Sequence, residues 1–352
     1  AADKGLFDNE VVYKGTRFVF EIELKGIKDD QLTWDEIISK VQEPLFRLGQ
    51  GSRKGYGDLK VIGLLNEQFD LTIAMQFDRY LDWSTKLNPA EIKVLKSIKS
   101  KGNIIEYKLD LTPDDFFIFS EGFGDDDVDN KPLEDEIAEY KSGTIAFEKN
   151  SVIPASSIKG AIAHRTCFHY NKLKKRWADD MNSSLKVIAL YKKLWTGGAN
   201  KAVHDLFGVE EGFSQDQKAK EEVHIFDASA NSQRGKVILN DLYFSEDKVK
   251  NEKIFNHVAI DRFTGGAMGG ALFSEKVSTL YGGLELKIFV EKYDYDDDVI
   301  HAFENALLDI TKGLLPLGGM TTKGNGMFTG LISRDGAPIL NYHEKEENNG
   351  TK

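Results

Sequence analysis

Four aspartates crowd the segment Gly124-Asp125-Asp126-Asp127-Val128-Asp129-Asn130. Carboxylates at alternate positions, Asp125, Asp127 and Asp129, supply the hard oxygen ligands that a divalent cation takes. The spacing follows the first half of a calcium loop, but the glycine and the distal glutamate of that motif are misplaced. The ordinary alternative is a solvated acidic loop, which Glu134, Asp135 and Glu136 would continue. A second stretch has the opposite sign. Residues 151–176, SVIPASSIKGAIAHRTCFHYNKLKKR, carry Lys159, Arg165, Lys172, Lys174, Lys175 and Arg176 without one acidic residue. A helix N-terminus with free N–H groups, two hydroxyls, a lysine and a glycine is a receptor for a phosphodiester.

The element that must position those groups starts extended, because Pro154 disfavours helix at the residue before it. Ala155-Ser156-Ser157 suits a helix cap. From Ile158 a helix is predicted, with Ile158, Ile162 and Cys167 on or near one face. The surrounding chain sets bounds on this reading. It has 352 residues and a formal net charge of −11, with a pI near 5.3. That balance argues against a free-standing, non-specific nucleic-acid binder, and leaves room for a subunit that grips RNA through one basic face within an assembly. Cys167 is the one cysteine, which rules out an intrachain disulfide framework and a cysteine-built zinc site. A reducing cytoplasm is the expectation. No apolar run approaches the ~20 residues that span a bilayer. The chain opens Ala1-Ala2-Asp3-Lys4 with neither a signal peptide nor an initiator methionine, so a processed, engineered or incomplete piece of something longer is expected.

Taken in order, residues 11–24 alternate, with Phe18, Phe20, Ile22 and Leu24 on one face, and predict a half-buried strand. Thr33-Trp34-Asp35-Glu36 reads as a capping box for a helix through Ile37, Ile38, Val41 and Leu45. The helix stops at the basic glycine loop Leu48-Gly49-Gln50-Gly51-Ser52-Arg53-Lys54-Gly55-Tyr56-Gly57, before a strand at Leu59, Val61 and Leu65. The same order returns later: a strand through Leu284, Leu286, Ile288 and Val290, a helix through Phe303, Ala306, Leu307, Ile310 and Leu314, then Leu317-Gly318-Gly319-Met320-Thr321-Thr322-Lys323-Gly324-Asn325-Gly326. Without gaps Leu48 meets Leu317, Gly49 meets Gly318, Lys54 meets Lys323, Gly55 meets Gly324 and Gly57 meets Gly326. This is an internal repeat of half a fold. The glycines close a helix and open a strand, so a dinucleotide fingerprint fails, and GxxxxGK[ST] is absent. A helix C-cap needs one glycine. The surplus points to close approach of another backbone, such as RNA. Between the copies, residues 69–77 are predicted as strand, and Asn88-Pro89-Ala90-Glu91 as the start of a helix with Ile92, Leu95 and Ile98. Lys99-Ser100-Lys101-Gly102 reads as a boundary, and Ile105, Tyr107, Leu109 and Leu111 as the first strand of a new domain.

Ile153-Pro154-Ala155-Ser156-Ser157-Ile158-Lys159-Gly160-Ala161 resembles the IPGSSLKGALR-type signature of the RAMP proteins, RNA-binding backbone subunits of type III CRISPR effectors. Ala155 replaces the usual glycine, and Arg165 stands later than the signature's arginine. The glycine loop near the C-terminus resembles the family's second hallmark, and this chain has it twice. Leu206-Phe207-Gly208 with Val223-His224-Ile225-Phe226-Asp227-Ala228 resembles the LFG…F-x-D-A pattern. Ile260-Asp261-Arg262-Phe263-Thr264-Gly265-Gly266-Ala267 resembles the I-D-R-x-T-G segment that precedes a projecting hairpin. The plain reading of Asp261-Arg262 is a salt-bridged strand end. The resemblance covers 103–333 well and 10–66 in part.

What the resemblance implies is an α+β chain of ferredoxin-like (RRM-like) RAMP domains. Residues 1–102 would be the C-terminal half of a first domain plus linker, 103–335 a complete domain, and 336–352 a polar tail. Guide RNA would meet Ser156, Ser157, Lys159, Gly160, Arg165, Arg53, Lys54, Gly55, Gly318, Gly319, Lys323, Gly324 and Arg262. In members that cleave target RNA, a loop where Asp125, Asp126, Asp127 and Asp129 lie carries the catalytic aspartate, with Asp127 and Asp129 leading here. A carboxylate there could orient the attacking 2′-hydroxyl or hold Mg2+ or Mn2+. Implied partners are guide RNA, target RNA and other effector subunits, with no membrane. His164 and His169 lie about one helical turn apart, a spacing that suits a metal pair or an acid–base site, but no third ligand is evident, so packing or RNA contact is expected of them. The alternative within the superfamily is a CRISPR-transcript processing endoribonuclease with a histidine as general base. Such enzymes usually lack the IPxSSxKG signature.

Overall fold

Alternation and periodicity fixed some of these elements, while hydrogen bonds from distant residues set the others. The computed structural model describes residues 10–26, 31–83, 93–94, 103–122, 124–141, 143–177, 200–209 and 233–344. Two compact units emerge: residues 17–52 with 57–103, and residues 1–16 and 53–56 with 104–352.

The smaller unit holds α1 (Gln31–Lys40), β1 (Gly63–Leu64), α2 (Ala74–Leu81) and β2 (Lys93–Val94). Several expectations change here. Residues 17–24 form no strand, and Phe18 and Val19 stay 60% and 68% exposed. Alternating apolar residues are buried only where a neighbouring strand receives them. Helix α1 begins ahead of Thr33, so Thr33-Trp34-Asp35-Glu36 is not its cap. Residues 69–77 turn and then enter α2, because Asp70 accepts from Thr72 N–H at 3.0 Å and the Asp70 N–H donates to Gln76 at 2.7 Å. The strand expected through Leu59, Val61 and Leu65 shrinks to Gly63–Leu64, paired antiparallel with β2. Lys93–Val94 is therefore strand where helix was expected. Asn88–Ile92, Leu95, Ile98 and Lys99–Gly102 lie outside the described residues.

The larger unit runs β3 (Ile104–Pro113), β4 (Glu134–Lys141), β5 (Thr144–Ile153), α3 (Ala155–Leu173), α4 (Lys201–Phe207), β6 (Gly208–Val209), β7 (Gln233–Arg234), β8 (Val237–Leu239), β9 (Leu242–Phe244), β10 (Val249–His257), β11 (Phe273–Leu280), β12 (Leu284–Glu291), α5 (Asp297–Thr311), β13 (Phe328–Arg334) and β14 (Ala337–Pro338). It is α+β, with strands paired antiparallel. Its main sheet is ordered β14-β13-β3-β12-β8. Central β3 pairs with β12 from Leu111↔Leu284 to Ile104↔Glu291, and with β13 from Pro113↔Phe328. Period-2 burial puts Tyr107, Leu109, Leu286, Ile288 and Val290 on one face. Helices α3 and α5 fill that core with Ile158, Ile162, Phe303, Ala306, Leu307 and Ile310. Each large apolar side chain so buried contributes about 2 kcal/mol.

A second sheet is ordered β4-β5-β9, and β10 pairs with β11 as a hairpin. Lys14 makes a parallel bridge to Ile137, the one ladder contact from residues 11–24. At the other end, residues 336–344 do not trail away as a polar tail. Strand β14 pairs with β13, and Tyr342 and His343 reach buried carboxylates on α5.

Candidate nucleic-acid interface

Helix α3 starts one turn earlier than its sequence suggests. Pro154, extended at φ −71 and ψ 131, takes the N-cap position, so Ala155-Ser156-Ser157 form the first turn. The cap comes from elsewhere: Asp241 accepts from the Ala155 N–H at 2.6 Å. Burial raises the Asp241 carboxyl, and the Ala155 N–H and Lys14 counter it. Residues 53–56 lie against this turn. A Cβ on Gly55 would stand 2.6 Å from an Asp241 oxygen and 3.1 Å from Ala155, and Gly55 has φ +105. Glycine is required there on both counts.

Lys159 faces inward. Its ammonium donates to the carbonyls of Arg53 at 3.1 Å and Val237 at 3.0 Å. Burial pulls it down to about 8, and the Arg53 charge adds to the effect. Lys159 thus ties residues 53–56 to the sheet. Arg165 is also engaged, paired through Nε with buried Asp309. Asp309 takes two further donors, His169 Nε2 at 2.7 Å and Tyr342 Oη at 2.8 Å. Burial alone would push this carboxyl up, but His169, Arg165 and Tyr342 together hold it down to about 2. His169 is a packed partner of Asp309, while His164 is exposed, so the two do not converge.

What the first turn leaves outside is Ser156, Ser157 and Gly160, all exposed, with exposed Lys54 on the adjoining loop. Nothing lies within 4 Å of where a Gly160 Cβ would stand. A glycine inside a helix costs roughly 0.5–1 kcal/mol relative to alanine. Packing among the described residues gives no reason for it.

The second glycine loop repeats the first in conformation. Gly318, Met320, Gly324 and Gly326 have φ of 94, 52, 92 and 78°, and Gly49, Gly51, Gly55 and Gly57 have 83, 70, 105 and 79°. Gly318 is packed on the Ile118 carbonyl, 2.3 Å from its would-be Cβ, and the Gly319 N–H donates to that carbonyl at 2.7 Å. Gly324 meets nothing within 4 Å. Lys323 is exposed, its ammonium 5.1 Å from the Phe273 ring centre.

At the hairpin tip Asp261 accepts from the Phe263 and Thr264 N–H groups, each at 2.8 Å, and Ile260 bridges Ala267. The aspartate builds a turn and leaves Arg262 exposed, in place of the salt-bridged strand end. Of the LFG pattern, Leu206 is fully buried and Gly208 closes α4 at φ 82. Val223–Ala228 lie outside the described residues.

The acidic loop divides its carboxylates. Asp125 accepts from the N–H groups of Asp127 and Val128 at 3.0 and 3.1 Å. Asp129 accepts from the Ser274 N–H at 2.7 Å and its hydroxyl at 3.0 Å. These bonds lower both carboxyls. Asp126 and Asp127 are exposed and make no side-chain bond. Two of the four groups are thus spent on the fold, and among the described residues no three His, Cys, Asp or Glu side chains gather as a cation site.

Sequence reading missed Asp241, Glu304 and Asp309, whose partners stand far away in the chain. No local spacing marks them. Among the described residues no helix is long and apolar enough to cross a membrane.

With this geometry in view, the relatives are informative in one respect. No curated protein matches the sequence. A solved structure titled "Type IV-B CRISPR Complex" is similar at 13% identity and a TM-score of 0.38, over 68% of this chain and 94% of that one. The RAMP superfamily matches residues 134–329, which contain α3, the hairpin and the second glycine loop. The chain belongs to the RAMP superfamily.

Proposed function

We propose that this chain is a backbone subunit of a type III CRISPR effector that holds guide RNA across the first turn of α3 and its glycine loops. The observation that carries the reading is Gly160. It sits exposed in a helix beside Ser156 and Ser157, and among the described residues no atom lies within 4 Å of where its Cβ would stand. A phosphodiester backbone resting on this turn would need it small. Lys54 and Lys323, both exposed, would add cations at the equivalent place of each loop, and Arg262 another at the hairpin. Lys159 and Arg165 would act one layer beneath, as supports.

The fold we infer for the larger unit is ferredoxin-like. In chain order β3, β8, β12 and β13 are its first to fourth strands, so the sheet reads 4-1-3-2, with α3 and α5 as the two crossovers. Residues 1–102, with the matching glycine loop at 48–57, are then the C-terminal half of a first such domain plus a linker. Other effector subunits, guide RNA and complementary target RNA are the partners of this reading. If the target strand is cut, Asp127 is the loop carboxylate to test, since it alone of the two leading aspartates is uncommitted.

The experiment is a gel shift with repeat-derived RNA on the assembled complex, across a salt series. Affinity should fall steeply with salt. Ser156→Ala with Ser157→Ala should weaken guide retention at an unchanged melting temperature. Unchanged RNA content in the purified variant complex would count against the reading.

A further inference from the structure

The exposed residues of α3 are Ser156, Ser157, Gly160, His164, Phe168 and Lys172. All but Ser157 follow one another at four-residue steps, so they are neighbours in a single row along the helix surface. The row begins on the first turn and runs about 18 Å from Gly160 to Lys172. No acidic residue lies anywhere in α3.

Phe168 stands out in this row. Its side chain is 45% exposed. One exposed phenylalanine is ordinary, but this ring is held from behind. The Arg165 guanidinium lies 4.6 Å from the ring centre, and the His169 imidazole meets it edge-on at 5.1 Å and 77°. Both of those groups are bound to buried Asp309, and Tyr342 fixes the same carboxylate. Arginine pairs with a carboxylate and stacks its flat guanidinium on an aromatic face at the same time. The phenyl ring is therefore preorganised, with its remaining surface turned outward.

The chemistry of the row decides what it receives. Phe168 carries the only apolar side chain among the six exposed residues, too little for the stripe that a partner helix would bury. Exposed Lys172 lies one turn beyond it and exposed His164 one turn before. A flat aromatic surface beside a cation, on a helix without acids, is complementary to a polyanion with flat bases. Single-stranded nucleic acid is such a ligand, and stacking accepts any base. We propose that Phe168 is the stacking platform for one unpaired base of the guide RNA, with Lys172 at an adjacent phosphate and Arg165 as the positioning residue behind the ring. The inference rests on the RNA-holding reading above, and extends it from a phosphodiester on the first turn to a base about two turns further along.

The test uses the assembled complex loaded with repeat-derived guide RNA that carries a single abasic site, moved one position at a time. One abasic position should weaken guide retention by the wild-type complex about tenfold, the loss of one base–aromatic stack. Phe168→Leu, which stays apolar without the π face, should weaken the intact guide by a similar factor. Its salt slope should be unchanged, because no cation is removed. In that variant the same abasic site should add no further loss, since both changes remove one contact. Phe168→Tyr should retain guide as wild type does, and Arg165→Lys should give a smaller fall of the same kind. Melting temperature and subunit stoichiometry show that each variant is folded and assembled. Equal retention at every abasic position, or wild-type retention by Phe168→Leu, overturns this inference alone. Loss of a protein subunit from the Phe168→Leu complex with guide content intact also overturns it, and gives the row to a protein partner. A wild-type complex that holds no RNA removes the RNA-holding reading and this inference with it.

Discussion

The Leu317 N–H donates to the Gly326 carbonyl at 2.8 Å and closes the second glycine loop, and Leu48 and Gly57 repeat that bond at 3.1 Å. A Cβ on Gly326 would stand 2.0 Å from the Leu317 oxygen, and one on Gly57 would stand 2.2 Å from the Leu48 oxygen. Gly326→Ala or Gly57→Ala should therefore destabilise by more than the ~1–2 kcal/mol of left-handed strain, because the backbone must also move. Gly324→Ala, at φ +92 in open space, should incur only the strain. Denaturant melts of the three variants check the ranking, and equal losses would break it.

Gly160→Ala should move stability and RNA retention in opposite directions. The variant should gain up to ~1 kcal/mol, since an exposed helical glycine gives way to the best helix former. Guide retention should fall, since the added methyl occupies the turn on which RNA rests. A melt and an RNA assay on one preparation decide the matter.

Asp309 sets an acid limit on stability. Its folded-state value of about 2 lies below the ordinary 3.8, so the unfolded chain binds more protons between those values. The contribution is complete above about pH 4, is lost as pH falls towards 2, and is on the order of 2 kcal/mol. Asp309→Asn should flatten that part of the profile. An unchanged profile would mean that Arg165, His169 and Tyr342 do not hold the carboxylate as described.

Asp127 and Asp129 should separate cleanly. Asp129→Ala loses its bonds to the Ser274 N–H and hydroxyl and should cost about 1–2 kcal/mol. Asp127→Ala, at an exposed uncommitted residue, should stay within ±0.5 kcal/mol. Thermal melts of the two measure the difference.

Local pattern made much of this legible. The alternation of β12, the periodicity of α5 and the glycine spacing at 48–57 and 317–326 all depend on residues near each other, and they appear where expected, except that α5 ends at Thr311, short of Leu314. The repeat survives even in the left-handed positions, where Gly51 and Met320 correspond. What failed depended on distant partners. Residues 17–24 have a strand's pattern but no ladder. The serines of α3 read as caps until Asp241 takes that role. Lys159 and Arg165 looked like surface cations, and only the fold shows that carbonyls and Asp309 occupy them.

The most direct measurement of the central claim is photocrosslinking of guide RNA in the assembled complex, with the attached peptides identified by mass spectrometry. Crosslinks concentrated at residues 53–57, 155–161 and 318–326 are the predicted result. Crosslinks found only outside these three segments, from a complex that retains its guide, would contradict it.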